Sequence, residues 1–329
     1  MSSSVHAVLL EPPTFDDVLA AQRRISPYLQ PTALNRYPAL DELAGTEVWV
    51  KHENHQPVGA FKVRGGVNLV AQASEDERRR GLIAASTGNH GQSIAYAARL
   101  FGVRAIVCVP EGANPVKVAA MQGLGAELMF HGRDYDEARE HCESLAAEHG
   151  YRYVHSGDEP HLIAGVATVT LEALEREPAL DVLIVPIGGG SGAAGACIVA
   201  DAVRSELEVI GVQSDAAPAA YRSWREGHVV EDEMRTAAEG LQTRVGFELP
   251  QRILRERLED FVLVSEDEIR AATVHMLERT RNLIEAAGAS PLAAALKLRD
   301  RLTGKRVGLV ASGGNVTLDQ LRDLLGAPA

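Results

Sequence analysis

The chain has 329 residues, of which 46% are hydrophobic and 24% are charged. This composition is ordinary for a globular protein and allows one large or two modest cores. The net charge of −12 argues against a nucleic-acid binder, since phosphate affinity comes mainly from clustered Lys and Arg. No run of about 18 apolar residues occurs, so we predict no membrane span and expect a soluble protein.

The cysteines indicate the cellular compartment. There are three of them, widely spaced and without metal-ligand spacing: Cys108, Cys142 and Cys197. This pattern does not indicate a disulfide framework and suits a reducing environment. The N-terminus has no basic segment followed by an apolar stretch, so no signal peptide is predicted. We therefore expect a cytoplasmic protein.

Short β-branched runs alternate with helical patterns along most of the chain. In chain order the predicted strands are Glu47–His52, Gly81–Ala85, Arg104–Val109, Glu127–Phe130, Tyr151–His155, Val182–Pro186, Val209–Gln213 and Arg306–Ala311. Helical spacing lies between them, for example in Tyr135–His149 and Leu162–Glu175. This alternation predicts an α/β fold with parallel sheets flanked by helices.

Three Gly-rich turns each follow a predicted strand and precede a helical pattern. They are Ser86–Gly91, Gly188–Gly192 and Ser312–Asn315. Ligands of open α/β sheets bind beyond the carboxyl ends of the strands, where such turns meet helix N-termini. We therefore expect one ligand to be shared by all three turns.

Lys62 follows a loop containing Pro57 and Gly59 and opens a predicted helix. The positive end of the helix dipole and partial desolvation both disfavour the cationic form of a lysine there. Both effects would help Lys62 to act as an amine nucleophile and Schiff-base former. On this segment alone, a surface lysine is the simpler interpretation.

The first turn is rich in polar side chains, where a single capping residue would be enough for the helix that follows. Its residues are Ser86, Thr87, Gly88, Asn89 and His90. Side chains and backbone amides that converge at a helix start form an anion site suited to a carboxylate. We favour a binding loop over a simple cap.

The second turn contains Gly188, Gly189, Gly190, Ser191 and Gly192, and its amides are suited to a phosphate. The segment Gly190–Gly195 also satisfies a dinucleotide-binding pattern, with Glu206 or Glu208 as loose candidates for the ribose acid. The motif alone predicts phosphate binding without deciding which phosphate. In the third turn, Ser312 offers a hydroxyl that could bond a heteroaromatic nitrogen.

Together these segments resemble the fold type II pyridoxal-phosphate enzymes, specifically the threonine/serine dehydratase and serine racemase group. The resemblance follows the same order over nearly the whole chain. It is carried by the segments 51–66, 86–90, 155–165, 188–192, 238–241, 285–289 and 312–315.

The resemblance implies a two-domain fold like that of the tryptophan synthase β chain. A large cofactor-binding domain would comprise residues 1–55 and 153–329, and a small mobile domain residues 56–152. The family also implies a homodimer. An amino acid is the expected small-molecule partner, and no nucleic acid or membrane is expected.

The resemblance also implies roles for individual residues. Lys62 would carry pyridoxal 5'-phosphate as a Schiff base and act as the base at Cα, with Phe61 beside the ring. Asn89 would contact the phenolic oxygen of the cofactor, and Ser312 its pyridine nitrogen. The other implied cofactor contacts are Gly188, Gly189, Gly190, Ser191, Gly192 and Gly240. Loop Ser86–His90 would bind the substrate carboxylate.

The implied reaction is α,β-elimination from a β-hydroxy amino acid such as L-threonine or L-serine, giving a 2-oxo acid and ammonia. A serine at the pyridine nitrogen leaves the ring a weaker electron sink, which favours elimination over transamination. Alternatives are an amino-acid racemase, a β-replacing synthase, a non-catalytic binding protein and, more remotely, an NAD-dependent dehydrogenase.

Several positions depart from the family pattern. Thr87 stands where racemases have a serine that handles the proton on the second face. Gly157 lacks the usual larger residue, and Gly165-Val-Ala-Thr168 replaces the usual Gly-Gln-Gly-Thr. We expect both changes to make room for a bulkier or different β-substituent. Gln213 and Ala219 stand where racemases have acidic residues, so we predict no strong divalent-metal site.

Overall fold

The computed structural model describes residues 10–326, which form two separate β-sheets flanked by helices. The strands are β1 (Leu34–Arg36), β2 (Glu47–His52), β3 (Leu82–Ala85), β4 (Ala105–Val109), β5 (Glu127–Phe130), β6 (Arg152–Tyr153), β7 (Val182–Pro186), β8 (Glu208–Ser214), β9 (Asp260–Val264) and β10 (Arg306–Ala311).

The helices cover both faces of the sheets. They are α1 (Phe15–Ile25), α2 (Pro38–Ala44), α3 (Lys62–Ala71), α4 (Glu75–Arg80), α5 (Asn89–Phe101), α6 (Pro115–Gly123), α7 (Tyr135–His149), α8 (Pro160–Arg176), α9 (Ser191–Val203), α10 (Ala219–Glu226), α11 (Glu248–Arg257), α12 (Glu266–Thr280), α13 (Ala286–Lys297), α14 (Arg299–Leu302) and α15 (Leu318–Gly326). Within residues 10–326, no helix is long and apolar enough to cross a membrane.

The sheets confirm the predicted parallel α/β architecture. The larger sheet has the order β1-β2-β10-β7-β8-β9, and the smaller one β5-β4-β3-β6. Every neighbouring pair is parallel except β1 and β2, which are antiparallel. The smaller sheet comes entirely from residues 82–153, which fits the predicted small domain of residues 56–152. The division into two domains itself stays a prediction.

All eight predicted strands are present, four of them with the predicted ends. The prediction omits β1 and β9. β1 has only three residues, Leu34–Arg36, with one of them buried, so it carries no alternating pattern. β9 does contain an apolar run, Phe261–Val264, but no Gly-rich turn follows it as one follows β3, β7 and β10.

Both faces of the larger sheet are buried. Along β7 the side chains alternate between the two cores, with Leu183 and Val185 on one face and Val182 and Ile184 on the other. In the smaller sheet the central strands β3 and β4 are likewise buried on both faces, whereas the edge strand β5 is largely exposed. Strands buried on both sides are continuously apolar, which explains why the sequence pattern identified them.

A buried charge cluster fixes the start of α3, the helix that Lys62 begins. The guanidinium of Arg64 donates to Glu53 at 2.7 Å and to Glu172 of α8 at 2.6 Å, and the Lys51 ammonium donates to Glu172 at 2.6 Å. Two cations and two anions compensate one another, which makes their burial tolerable. The cluster joins the end of β2, α3 and α8 beneath the predicted ligand site.

Candidate active site

The turns that follow β3, β7 and β10 meet around a cavity of about 540 Å³. The cavity is lined by every residue that the sequence predicted for the site: Phe61, Lys62, Ser86, Thr87, Gly88, Asn89, His90, Gly188, Gly189, Gly190, Ser191, Gly192, Gly240 and Ser312. Tertiary structure thus brings together residues that range from Phe61 to Ser312 along the chain. Their individual roles stay predictions.

Lys62 is the first residue of α3, and its side chain enters the cavity. Its Nζ donates to the carbonyl of Ser156 at 2.7 Å and to Oγ of Ser191 at 3.0 Å. Burial lowers the pKa of Lys62 to about 8. At pH 7 about a tenth of the amine is therefore neutral, far more than for an ordinary lysine, and the neutral form is the nucleophile.

Phe61 and Ser312 lie beside Lys62. The Lys62 ammonium is 5.4 Å from the centroid of the Phe61 ring. The Phe61 amide donates to the carbonyl of Ser312 at 2.9 Å, which joins the start of α3 to the end of β10. Within residues 10–326 the Ser312 hydroxyl has no hydrogen-bond partner, so it is available to a ligand.

The glycine turn presents free amides. In the described part of the chain, no backbone amide from Gly188 to Gly192 donates to another residue. Gly190 has φ 89°, a conformation that favours glycine. The following helix α9 starts at Ser191, so Ser191 and Gly192 belong to its first turn. Free amides at the N-terminus of a 13-residue helix form an anion site.

Close packing around the turn leaves no space for side chains there. A Cβ on Gly188 would lie 2.3 Å from the carbonyl oxygen of Gly240, and one on Gly189 would lie 2.1 Å from the Phe247 ring. Gly240 thereby lies directly against the turn. The glycines hold the backbone close to its neighbours while the amides face the cavity.

The polar turn after β3 is organised by its own side chains. Oγ of Ser86 accepts from the amides of Gly88 at 3.1 Å and Gly91 at 2.9 Å. Ser86 thus stabilises the turn, as a cap would, while it also lines the cavity. Within residues 10–326, the Thr87 hydroxyl has no hydrogen-bond partner, so it is available to a ligand.

His90 is neutral in this site. Its Nε2 donates to the carbonyl of Val154 at 3.1 Å, and its Nδ1 has no partner among the described residues. Burial, and secondarily the charge of Lys62, lowers the pKa of His90 to about 3. His90 therefore offers no positive charge to a carboxylate, and recognition by this turn must come from hydroxyls and amides.

Asn89 is tied to two residues from distant parts of the chain. Its Nδ2 donates to Glu285 at 2.8 Å, and its Oδ1 accepts from Nδ2 of Asn315 at 2.7 Å. Glu285 precedes α13 and Asn315 follows β10. Glu285 and Asn315 both lie in segments that resemble the family, but the sequence indicated no function for either residue.

Other cavity-lining residues were also missed: Lys117, Tyr135, Asp136, Arg139, His155, Asp158, Glu239, Phe247 and Glu285. Tyr135, Asp136 and Arg139 share one face of α7, and this spacing is the only signal that could have grouped them. The Lys117 ammonium contacts the Glu239 carboxylate, whose other oxygen accepts from Gln320 at 2.8 Å. These contacts join α6 to α15 across the cavity.

Two of the departures from the family pattern, Gly157 and Ala167, do not line the cavity. A Cβ on Gly157 would lie 2.4 Å from the Phe247 ring, so that ring already fills the vacant space. Ala167 packs against Gly195, where α8 crosses α9. Room for a bulkier or different β-substituent stays a prediction.

Gln213 is fully engaged within the protein. Its Oε1 accepts from the amide of Tyr221 at 3.0 Å, and its Nε2 donates to Thr243 at 3.3 Å. Among residues 10–326, no three His, Cys, Asp or Glu side chains lie close enough together to hold a metal ion. Gln213 and its two hydrogen-bond partners do not form a ligand set for a divalent cation.

The dinucleotide interpretation of Gly190–Gly195 conflicts with the topology. In the parallel pair β7–β8, Glu208 lies opposite Val182, at the start of the strand that delivers the glycine turn from its far end. Glu208 pairs there with Arg301 and Lys305. A ribose bound near the glycines could not reach it. Gly195 also packs against Ala167 rather than facing the cavity.

The chain is similar to characterised proteins over most of its length. It is 36% identical over 309 residues to an L-threonine ammonia-lyase of Thermotoga maritima, covering 94% of this chain and 77% of that one. It is 38% identical over 315 residues to an L-threo-3-hydroxyaspartate ammonia-lyase of Saccharomyces cerevisiae, covering 95% and 96%.

The fold is similar as well. A solved serine racemase from Dictyostelium discoideum superposes with a TM-score of 0.88 at 35% identity, covering 93% of this chain and 99% of that one. The family model described as "Pyridoxal-phosphate dependent enzyme" matches residues 25–313, which include every predicted site residue. The dehydrogenase alternative is thereby overturned, and the chain belongs to the pyridoxal-phosphate dependent enzyme family.

Proposed function

We propose that this protein eliminates water from a β-hydroxy amino acid such as L-threonine or L-serine. Hydrolysis of the resulting enamine takes up one water again, so the net products are a 2-oxo acid and ammonia. The observation that carries the proposal is the position of Lys62. Its amine lies at hydrogen-bonding distance from Ser191, next to the free glycine amides, in one cavity with loop Ser86–His90 and Ser312. Ammonia-lyases among the relatives support the same reaction class.

The residues present fit pyridoxal phosphate. The free amides of Gly188–Gly192 at the start of α9 suit a phosphate, and the buried amine of Lys62 suits an aldehyde. Phe61 and Gly240 would border the cofactor, and the unpaired hydroxyl of Ser312 would meet its pyridine nitrogen. When bound, the cofactor supplies an electron sink for negative charge at Cα.

Each protein group then has a defined task. Lys62, with its lowered pKa, accepts the Cα proton. The hydroxyls of Ser86 and Thr87 and the backbone amide of Asn89 hold the substrate carboxylate, since His90 is neutral. A hydroxyl at Ser312, in place of a carboxylate, leaves the pyridine nitrogen without a strong proton donor. Departure of the β-hydroxyl therefore competes well with transamination.

The decisive experiment combines spectroscopy with product analysis. We expect the purified protein with pyridoxal phosphate to show a visible Schiff-base band that Lys62→Ala abolishes. L-threonine or L-serine should release equal amounts of 2-oxo acid and ammonia. The matched control is Lys297→Ala, because Lys297 pairs with Glu268 on the surface. This variant should leave both signals unchanged. A Schiff-base band without 2-oxo acid from any β-hydroxy amino acid would refute elimination.

An acidic β-substituent is the second candidate, because Arg139 lines the cavity wall. Its side chain is 31% exposed, and one of its nitrogens donates to Glu143 at 2.7 Å. Arginine binds carboxylates through paired hydrogen bonds. The yeast relative, named for L-threo-3-hydroxyaspartate, supports a substrate of this kind.

Substitution of Arg139 distinguishes the two substrates. Charged hydrogen bonds contribute about 1.5–3 kcal/mol, so Arg139→Ala should lower kcat/KM for 3-hydroxyaspartate about 10- to 100-fold. The kcat/KM for L-threonine should stay nearly constant. Arg133→Ala is the matched control, since Arg133 precedes α7, pairs with Glu137 of that helix and does not line the cavity. Equal losses for both substrates would remove the case for an acidic one.

Racemisation is a related outcome of the same assay. The free hydroxyl of Thr87 lines the cavity where racemases have a serine. Chiral chromatography of the remaining substrate measures it, and Thr87→Ala should abolish any opposite enantiomer while elimination continues.

The assembly belongs to the same proposal. Two domains, residues 1–55 with 153–329 and residues 56–152, would close over the substrate, since loop Ser86–His90 and the glycine turn follow strands of different sheets. Family resemblance supports a homodimer, which light scattering tests. The three free cysteines suit a cytoplasmic location.

A further inference from the structure

A chain of three polar side chains runs along the cavity wall: Asn315, Asn89 and Glu285. Nδ2 of Asn315 donates to Oδ1 of Asn89 at 2.7 Å, and Nδ2 of Asn89 donates to Oε1 of Glu285 at 2.8 Å. Nδ2 of Asn315 also donates to the carbonyl of Val58 at 2.9 Å. Both ends of the Asn89 amide are therefore held by groups of fixed polarity.

This arrangement allows only one orientation of the Asn89 amide. If the amide rotated by half a turn, its oxygen would face the Glu285 carboxylate and its nitrogen would face the donor nitrogen of Asn315. Both contacts would be repulsive, because two acceptors would face each other at one end and two donors at the other, with no hydrogen bond between them. The second N–H of the Asn89 side-chain amide makes neither of these contacts, so Asn89 presents a donor to a ligand in the cavity.

The local structure is built around the carboxylate of Glu285. Glu285 stands at the N-cap position of α13, yet its side chain makes no capping hydrogen bond to that helix. Its amide donates to the carbonyl of Gly313 at 3.0 Å, and a Cβ on Gly313 would lie 2.5 Å from Oε1 of Glu285. Glycine at 313 thus leaves the space that the carboxylate occupies on its way to Asn89.

We propose that Glu285 and Asn315 are positioning residues that fix Asn89 as a hydrogen-bond donor toward the phenolic oxygen of pyridoxal phosphate. This inference rests on the proposed contact between Asn89 and the cofactor. A donor at that oxygen stabilises its ionised form, which gives the Schiff base its visible absorbance. Without the donor, the neutral phenol form, which absorbs in the near ultraviolet, gains population.

The experiment measures the ratio of visible to near-ultraviolet absorbance in the holoenzyme at one pH, with cofactor content determined separately after denaturation. One neutral hydrogen bond contributes about 0.5–1.5 kcal/mol, so Glu285→Leu and Asn315→Ala should each lower this ratio about 3- to 10-fold. Glu285→Gln should retain a ratio close to that of the wild type, because its carbonyl oxygen still accepts from Asn89.

Glu239→Gln is the matched control. Glu239 also lines the cavity, but its carboxylate contacts Lys117 and Gln320 rather than Asn89. Its loss should leave the absorbance ratio unchanged. If the loss of any carboxylate from the cavity wall changed the ratio, the Glu239→Gln variant would change it as well.

The outcomes separate the inference from the proposed function. An unchanged ratio in Glu285→Leu, with full cofactor content, overturns the role of Glu285. If that variant does not fold, Asn315→Ala decides, because it acts on the other end of the same amide. An unchanged ratio in Asn89→Leu overturns the contact between Asn89 and the cofactor, and with it this inference. Elimination is judged independently by Lys62→Ala and product release.

Discussion

The turns after β3 and β7 occupy equivalent places in two different sheets, yet they present different chemistry to the same cavity. The turn after β7 exposes the backbone amides of Gly188–Gly192, none of which is bonded within the described chain. In the turn after β3, Ser86 binds the amides of Gly88 and Gly91, whereas the amides of Thr87, Asn89 and His90 make no hydrogen bond within the described chain. Polar side chains line the cavity beside these amides.

The difference indicates that the same strand–turn–helix pattern can serve two kinds of ligand. Backbone amides are fixed in place and suit a ligand that stays, such as a cofactor phosphate. Hydroxyl and amide side chains make directional bonds and suit a ligand that must be recognised and released. The glycines of one turn and the polar residues of the other follow from these two tasks.

The largest effect should come from Gly188→Ala. The new Cβ would lie 2.3 Å from the carbonyl of Gly240, so the backbone must shift. Overpacking costs about 1–3 kcal/mol, and we expect cofactor affinity to fall about 10- to 100-fold. Equilibrium dialysis of pyridoxal phosphate measures this affinity. Gly112→Ala is the control, since nothing lies within 4 Å of its Cβ position. Unchanged affinity in Gly188→Ala would show that the backbone of this turn does not bind the phosphate.

A smaller and different effect is expected for Ser86→Ala. Two amides would lose their acceptor, which costs about 1–3 kcal/mol for a buried group. The turn should loosen, and kcat/KM should fall about tenfold while cofactor affinity stays constant. Steady-state kinetics and the dialysis experiment measure the two quantities. Loss of cofactor affinity in this variant would break the distinction between the two turns.

The smallest effect concerns Lys62, which lies between the turns. Its pKa is lowered to about 8 by burial, and only the neutral amine attacks an aldehyde. The neutral fraction, and so the rate of cofactor uptake by the apoenzyme, should rise about fivefold from pH 7 to pH 8, rise about twofold more above pH 8 and level off above about pH 9. Stopped-flow absorbance measures this rate, and Lys62→Ala is the blank. A rate that keeps rising toward pH 10 would indicate an ordinary, solvated lysine.

The sequence by itself determined the fold class, the positions of the buried strands along the chain and the composition of the three turns. These features are local, because continuous apolar runs define strands buried on both faces and Gly-rich or polar turns mark their carboxyl ends. Gly188–Gly192 could therefore be identified as a phosphate-type turn before any contact was known, whereas the roles of Lys62 and Ser312 came from the family resemblance. The cavity contains all of them.

Only the tertiary structure decided which distant side chains complete the site. Glu285 reaches Asn89 across 196 positions of the chain, and Phe247 fills the space left by Gly157. Glu208 has the sequence neighbourhood of a ribose ligand but lies at the wrong end of its strand. A one-dimensional pattern records where a turn occurs, but the polarity and volume of its surroundings come from side chains that folding brings from elsewhere.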